Sequence, residues 1–506
     1  AAPAAQNNGR RVFFQEERMK KYIIALDAGT TSVRAMVYDL AAKNFIFTAQ
    51  QEVGQSFPQS GWVEQDANEI FFKAAYVLNR CKSAVGEETI AGIGIADQRE
   101  TVVLWDRETG EPVAPAIVWQ CRRTSDFCAA VPQDMREMIR EKTGLPMDAY
   151  FSASKIRWIL DNVPAARDLL ARGRLFAGTV DSFLIFRLTE GKSFVTDHTN
   201  ASRTMLFNIH TLSWDEELLD YFSIPRSILP EVRSSDARMG ETVLGSKRVP
   251  IAGCAGDQQA ALFGQGCVAR GDCKVTYGTG LFMLFHTGEA CVRSQSGLIS
   301  TIGYTLGGKV RYALEGSAFN AGSGIQWLRD GLGLISSSAE SELVASSVPD
   351  TGGVYFVPAF TGLGAPYWRS DCRGLFSGIT RGTTRAHLVR AVLESIAYEA
   401  KELSVCMEKD SGIHLSCLRC DGGASANDLL MQFQADVLHI PVDRPKERES
   451  TALGAALLCA CALGLADEKA ASELRARERL FLPSPEEGRF NELYLGYLQA
   501  VRRSLL

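Results

Sequence analysis

The sequence predicts an α/β protein of two domains, and three observations carry that prediction. The chain has 506 residues, more than a single hydrophobic core ordinarily serves. Short runs of β-branched and apolar residues alternate with stretches of helical spacing along its length. A strand, a glycine turn and a second strand occur together at 22–39 and again at 274–285. Two such units in separate halves imply two similar cores facing one cleft, and such a cleft could grip a polyphosphate from both sides.

The first unit reads YIIALDAGTTSVRAMVYD. Tyr22 to Leu26 suits a buried strand. Gly29 lets backbone amides approach a ligand closely, and Thr30, Thr31 and Ser32 add hydroxyls. Asp27 offers hard oxygens to an ion such as Mg²⁺, directly or through water. Arg34 adds a fixed positive charge that suits phosphate oxygens. A plain hairpin with a small-residue turn has the same pattern, so both readings stand for this segment alone.

Further along, 70–81 has helical apolar spacing and 89–96 reads as a buried strand. Arg99 and Glu100 come just past that strand, where α/β sheets place ligand contacts; a solvated surface pair is the plain alternative. Residues 156–162 have helical spacing, and 175–187 is an apolar stretch broken by Gly178 and Asp181. Asp257 lies beside the amide Gln258 in a run of small residues, which suits a carboxylate aimed into a cleft. It also precedes the helical run 259–263 and could cap it, and the two roles are compatible. A domain boundary is expected near 264–267, giving domains 19–264 and 265–506. A third glycine turn at 420–424 leads through Asn427 to a helical run at 429–437. The longest apolar run, 452–466, is too short and too glycine-broken to span a bilayer and reads as a buried helix.

Lys and Arg number 54 against 59 Asp and Glu, a net charge of −5, so nothing predicts nucleic acid or an anionic membrane as partner. The 13 cysteines are scattered; the lone pairs Cys417/Cys420 and Cys459/Cys461 have no second pair at zinc spacing. Buried apolar thiols in the cytoplasm are the expectation. Residues 1–18 lack periodicity and precede Met19, and they read as a disordered leader or expression scar.

Several longer motifs meet a family. The three glycine turns in this order resemble the nucleotide-binding signature of the actin, hexokinase and heat-shock ATPase superfamily. YFSASKIRW at 150–158 and GLFSGITRGTTRAHLVRAVLE at 374–394 resemble the two signatures of the FGGY carbohydrate kinases. IVWQCRR at 117–123, NASRTM at 200–205, GDQQA at 256–260, TYGTG at 276–280 and PAFTGLGAP at 358–366 resemble the glycerol-phosphorylating members of that family. The resemblance covers about 19–506 and implies two ribonuclease H-like domains flanking a central cleft. It implies transfer of a phosphoryl group from ATP to glycerol, giving sn-glycerol 3-phosphate, with Asp257 as general base. It further implies that Arg99, Glu100, Asp257 and Gln258 bind glycerol hydroxyls, with Tyr150 beside them and Trp119 and Phe282 as the apolar wall. Thr31, Arg34 and Thr279 match phosphate contacts, Gly322 and Gln326 further nucleotide contacts, and Gly423 and Asn427 the adenosine pocket. Asp27 would orient Mg²⁺ through water. Family members form homodimers and homotetramers.

The chain also departs from the family pattern. Most glycerol-phosphorylating members carry Gln where Ala28 stands, and Ala96-Asp97-Gln98 replaces the more usual Thr-Asn-Gln. The segment 244–248 is short beside the glycine-rich loop of members regulated by a sugar bisphosphate, so that control is not implied here. An FGGY kinase for another polyol or a ketose is the nearest alternative, and Arg99-Glu100 with Trp119 argues against it. A non-catalytic nucleotide-binding scaffold would have no use for the Arg99, Glu100, Trp119 and Asp257 set.

Overall fold

The computed structural model describes residues 21–318, 320–369 and 371–506, so the expectation for 1–18 lies outside the described residues. The chain forms two compact units. One contains the residues through Gly264 together with Tyr304–Val310 and Thr451–Leu474; the other contains Gln265–Gly303, Arg311–Ser450 and Arg475–Leu506.

The first unit is built on a six-stranded sheet. Its strands are β1 (Tyr22–Ala28), β2 (Ser32–Asp39), β3 (Asn44–Glu52), β4 (Ile90–Asp97), β5 (Arg238–Leu244) and β6 (Lys247–Gly256), in the spatial order β5-β6-β4-β1-β2-β3. β1 and β2 form the expected hairpin, with Asp27 opposite Arg34. β4 is buried along its whole length and runs parallel to both β1 and β6. Such two-sided burial is what a continuous run of Ile, Ala and Gly provides. Register decides where the functional loops emerge. Ala28 and Gly256 both lie opposite Asp97, so three parallel strands end together at one edge of the sheet.

Helices pack within this unit. α1 (Ala67–Val85) begins at Asp66, whose side chain accepts from the Asn68 amide, and packs Ile70, Ala74, Val77, Leu78 and Cys81 inward. α2 (Ser152–Asn162) and α3 (Val180–Leu188) follow, the latter entered from the strand Leu175–Thr179. The apolar stretch 175–187 is thus a strand running into a helix. α4 (Asp257–Gly264) leaves directly from the end of β6.

The second unit centres on a seven-stranded sheet. Its parallel core places β7 (Cys273–Tyr277) beside a strand at Leu418–Asp421, with Thr276 opposite Asp421. β8 (Leu281–Gly288) pairs antiparallel with β7, again closing a hairpin at a glycine turn. α5 (Gly322–Asp330), α6 (Arg385–Ser411) and α7 (Asp428–Leu438) pack in the same unit. α6 is capped by Thr384, with His387 returning a bond to the cap, and stops at Gly412 in the left-handed conformation.

Most of the apolar run at 452–466 is a buried helix, α8 (Ser450–Ala462), while 463–466 lie beyond its end and Leu465 is exposed. Read above as part of the C-terminal half, residues 451–474 cluster with the first unit. Glycines explain the close fit. A Cβ at Gly94 would fall 2.0 Å from the Ala455 carbonyl oxygen, and one at Gly253 would fall 2.5 Å from the Cys459 nitrogen. All thirteen cysteines are free thiols, nine of them buried. Among the described residues no helix is long and apolar enough to cross a membrane.

Candidate active site

Asp27, Arg99 and Asp257 are far apart in sequence, yet each sits at or just past the end of one of the three parallel strands of the first sheet. Asp257 is the first residue of α4, and its carboxylate accepts the amide of the next residue, Gln258, at 2.7 Å; this bond reaches one residue on, whereas the cap expected ahead of 259–263 would reach two or three. Arg99 Nε lies 3.3 Å from Asp257 Oδ1, and Arg99 Nη1 donates to Gln259 Oε1 at 3.2 Å. A Cβ at Gly256 would fall 2.6 Å from Arg99 Cγ, so the glycine before Asp257 makes room for the arginine.

Glu100 is buried and carries φ +61°, a conformation uncommon for a residue with a Cβ. Its carboxylate accepts from Arg203 Nε at 2.6 Å and lies 3.7 Å from Arg99 Nε. Its carbonyl accepts from Ser152 Oγ at 3.1 Å and Lys155 Nζ at 3.2 Å. Lys155, fully buried, also donates to the Tyr150 carbonyl at 2.5 Å. Arg99 and Glu100 are therefore interior groups rather than a solvated surface pair. Trp119 and Tyr150 are half-buried and meet edge to face at 5.5 Å between ring centroids.

The phosphate-sized turn closes with the Gly29 amide donating to the Ser32 carbonyl at 3.0 Å. Thr31 is exposed, and Thr30 and Ser32 are half-buried. Arg34 Nη2 donates to Asp27 Oδ2 at 2.7 Å, so the candidate cation-holding and phosphate-holding groups are paired. Trp119 Nε1 donates to Thr30 Oγ1 at 3.0 Å, tying the candidate aromatic wall to this turn. Gln65 reaches the Thr30 carbonyl at 2.7 Å, Gln98 reaches the Gln65 side chain at 2.8 Å, and Thr101 bridges Gln98 to the Trp119 amide. Gln65 and Thr101 are not singled out by the sequence, and Gln98 only as part of the Ala96-Asp97-Gln98 departure. Uncharged side chains at 33- to 89-residue separations leave no local pattern.

In the second unit the turn after β7 is equally tight, with the Gly278 amide donating to the Gly280 carbonyl at 2.9 Å and Thr279 exposed. The N-terminus of α5 folds onto it: the Gly322 amide donates to the Gly278 carbonyl and the Ser323 amide to that of Thr279. A Cβ at Gly322 would fall 2.5 Å from the Gly278 oxygen, so only glycine fits. Gln326 is exposed on α5 and Phe282 half-buried on β8. Asn427 caps α7 by accepting the Leu430 amide at 2.9 Å, while a Cβ at Gly423 would meet nothing within 4 Å.

Residues 22–264 match the FGGY family of carbohydrate kinases, N-terminal domain, and 273–463 match its C-terminal domain. A glycerol kinase of Treponema denticola is 54% identical over 494 residues, covering 96% of this chain and 99% of that one. One from Bacillus mycoides is 52% identical over 492 residues, with the same coverage. The chain belongs to the FGGY family of carbohydrate kinases. Among solved structures, Plasmodium falciparum glycerol kinase with ADP superposes with a TM-score of 0.89 at 37% identity, covering 96% of this chain and 98% of that one. A gluconate kinase from Lactobacillus acidophilus, at 24% identity and a TM-score of 0.86, shares the fold. The two-domain α/β, actin-like ATPase architecture expected from sequence is therefore the observed one.

This FGGY kinase keeps two of its departures, Ala28 and Ala96-Asp97-Gln98, in buried places. Ala28 is fully buried at the end of β1, between Val33 and Asp97 in register. Asp97 is also fully buried; it accepts from Asn200 Nδ2 at 2.9 Å and from the Asp181 amide at 3.1 Å. Burial, with Asp181 beside it, raises its carboxyl well above the usual range, and burial raises Asp181 as well. Burial pushes Asp197, in the same cluster, up to about 6.

Proposed function

We propose that this chain transfers the γ-phosphoryl group of ATP to glycerol, releasing ADP and sn-glycerol 3-phosphate, and so serves glycerol catabolism. The observation that carries this reading is the meeting of Arg99, Glu100 and Asp257 at one sheet edge. It does so in a chain more than half identical to glycerol kinases along nearly its whole length. Arg99, Glu100 and Gln258 take the hydroxyls of a small polyol, and Trp119, Tyr150 and Phe282 cover its carbon skeleton. Asp257 takes the proton of the attacking hydroxyl, its oxygen bonds to the γ-phosphorus, and the bond from that phosphorus to the bridging oxygen breaks with ADP as leaving group.

The nucleotide half of the reaction falls to Thr30, Thr31, Ser32 and Arg34 in the first unit and to Thr279, Gly322 and Gln326 in the second. Gly423 and Asn427 receive adenosine; the open space beside Gly423 leaves the flat face of a purine unobstructed. Asp27 would hold Mg²⁺, which neutralises phosphate charge when bound. The Asp27 carboxylate is buried and commits one oxygen to Arg34, which suits contact through the water shell of the ion rather than direct ligation. The thirteen free thiols support a cytoplasmic location, and self-association as a homodimer or homotetramer belongs to the same reading.

The test is ADP release with ATP and a panel of glycerol, erythritol, xylulose and gluconate. Glycerol should give the highest kcat/KM. Preference for another panel member would move the chain to a different FGGY substrate, and release independent of any polyol would overturn the kinase reading.

A further inference from the structure

Two buried cations behind the candidate polyol site have no part in the reaction proposed above. Lys155 and Arg203 are both fully buried. Desolvating a cation is costly even after relaxation, and a well-packed apolar residue in its place is often neutral or stabilising. Such groups call for a reason beyond packing, and their partners supply one.

The α2 helix starts with Ser152, and Lys155 follows three positions later, so both side chains emerge from the same face. Both donate to the Glu100 carbonyl, at 3.1 and 3.2 Å, and Lys155 donates also to the Tyr150 carbonyl. One ammonium thus joins the backbones of two residues assigned to the polyol. Arg203 fixes the side chain of the first: its Nε donates to Glu100 Oε1 at 2.6 Å, while its guanidinium lies over the Phe151 ring at 5.3 Å and the Tyr150 ring at 5.9 Å. The Glu100 backbone needs such restraint. At φ +61° a residue with a Cβ occupies a sparsely populated conformation, which persists only where the surroundings over-determine it.

We propose that Lys155 and Arg203 are positioning residues of the polyol site: Lys155 locks the backbones of Glu100 and Tyr150, and Arg203 aims the Glu100 carboxylate. The proposal rests on the reading of Arg99, Glu100 and Asp257 as that site. With Glu100 and Tyr150 held in place before substrate arrives, little ordering remains to oppose the binding of a ligand as small as a triol. A merely structural pair would lower stability when removed but would leave the two substrates equally affected.

Lys155→Met and Arg203→Leu remove the charges and keep most of the volume; Arg203→Lys keeps a charge without the guanidinium geometry. Steady-state kinetics with glycerol and ATP varied separately, alongside thermal melts, should show the glycerol KM raised at least about tenfold in the first two variants. The ATP KM should stay within about twofold, and Arg203→Lys should fall between. Where Lys155→Met or Arg203→Leu fails to fold, Ser152→Ala and Arg203→Lys decide, with a glycerol KM about threefold higher expected of each. An unchanged glycerol KM, or equal rises for both substrates, in folded variants would overturn this inference alone. A wild-type protein that turns over no glycerol would overturn the polyol reading and this inference with it.

Discussion

Asp257 accepts the Gln258 amide and faces Arg99 Nε, so its carboxylate is oriented from two sides before any hydroxyl arrives. Asp257→Asn keeps an acceptor for the Gln258 amide and removes the proposed base. Turnover should fall by about 10²–10⁴-fold while the melting temperature stays close to wild type; near-normal kcat would remove Asp257 from the base role. Lys155 makes a second prediction at this scale. Burial pulls its ammonium down from the ordinary 10.5 to about 8, although Glu100, Cys121, Asp148 and Cys128 face it and oppose the shift. Arg203 is bound to the same Glu100. Between those two values the unfolded chain holds the proton and the folded chain does not, so this group's contribution to stability rises with pH. The neutral amine grips the two carbonyls less firmly, so the glycerol KM should climb above about pH 8 with no matching rise for ATP. A flat glycerol KM from pH 7 to 9.5 would sink this expectation.

At the scale of elements, α8 bears on the site through packing alone. Gly454 within it is so close to α4 that a Cβ would fall 1.8 Å from the Ala260 carbonyl oxygen. In an open helix Gly→Ala would gain about 1 kcal/mol of propensity. Here backbone meets backbone, and overpacking costs typically about 1–3 kcal/mol, so the clash should win. Gly454→Ala is expected to lower the denaturant midpoint by a net destabilisation of about 1–2 kcal/mol and to lower kcat, because α4 carries Asp257 at its start. A stabilised variant with normal kcat would show that the two helices separate freely. α8 was legible as a buried helix because it is apolar all round, whereas its membership of the first unit was not, since hydrophobicity does not name the surface that covers it.

At the scale of the whole molecule, pH enters through Asp97, Asp181 and Asp197, which are buried together with Cys254; the charge of Asp257 also acts on Asp97. A carboxyl whose folded pKa is raised keeps its proton where the unfolded chain has lost it. The folded state then binds more protons, and its stability falls as pH rises from the ordinary value near 3.8 through about 6 for Asp197, with Asp97 raised in the same direction by burial. Asp97→Asn retains an acceptor and removes one titrating group. Urea midpoints should fall less between pH 4 and 7 in this variant than in wild type; an equal or steeper fall would discount the cluster.

The local parts of the molecule were written in the sequence. The β1–β2 hairpin, the buried strand β4, a helix over 70–81, the second glycine turn and the third all follow from residue periodicity and glycine placement, because these depend on neighbours within a few positions. Motifs at 150–158 and 200–205 contained Lys155 and Arg203, yet nothing local told what either would touch. Tertiary structure decided three things. It aligned Ala28, Asp97 and Gly256 in register, placing Asp27, Arg99 and Asp257 at one sheet edge; it buried the Arg99–Glu100 pair with two further cations; and it carried 451–474 to the first unit. Each depends on strand pairing or packing between segments tens to hundreds of residues apart. Chain order does not constrain such contacts; the shared burial of apolar surface and the pairing of buried polar groups do.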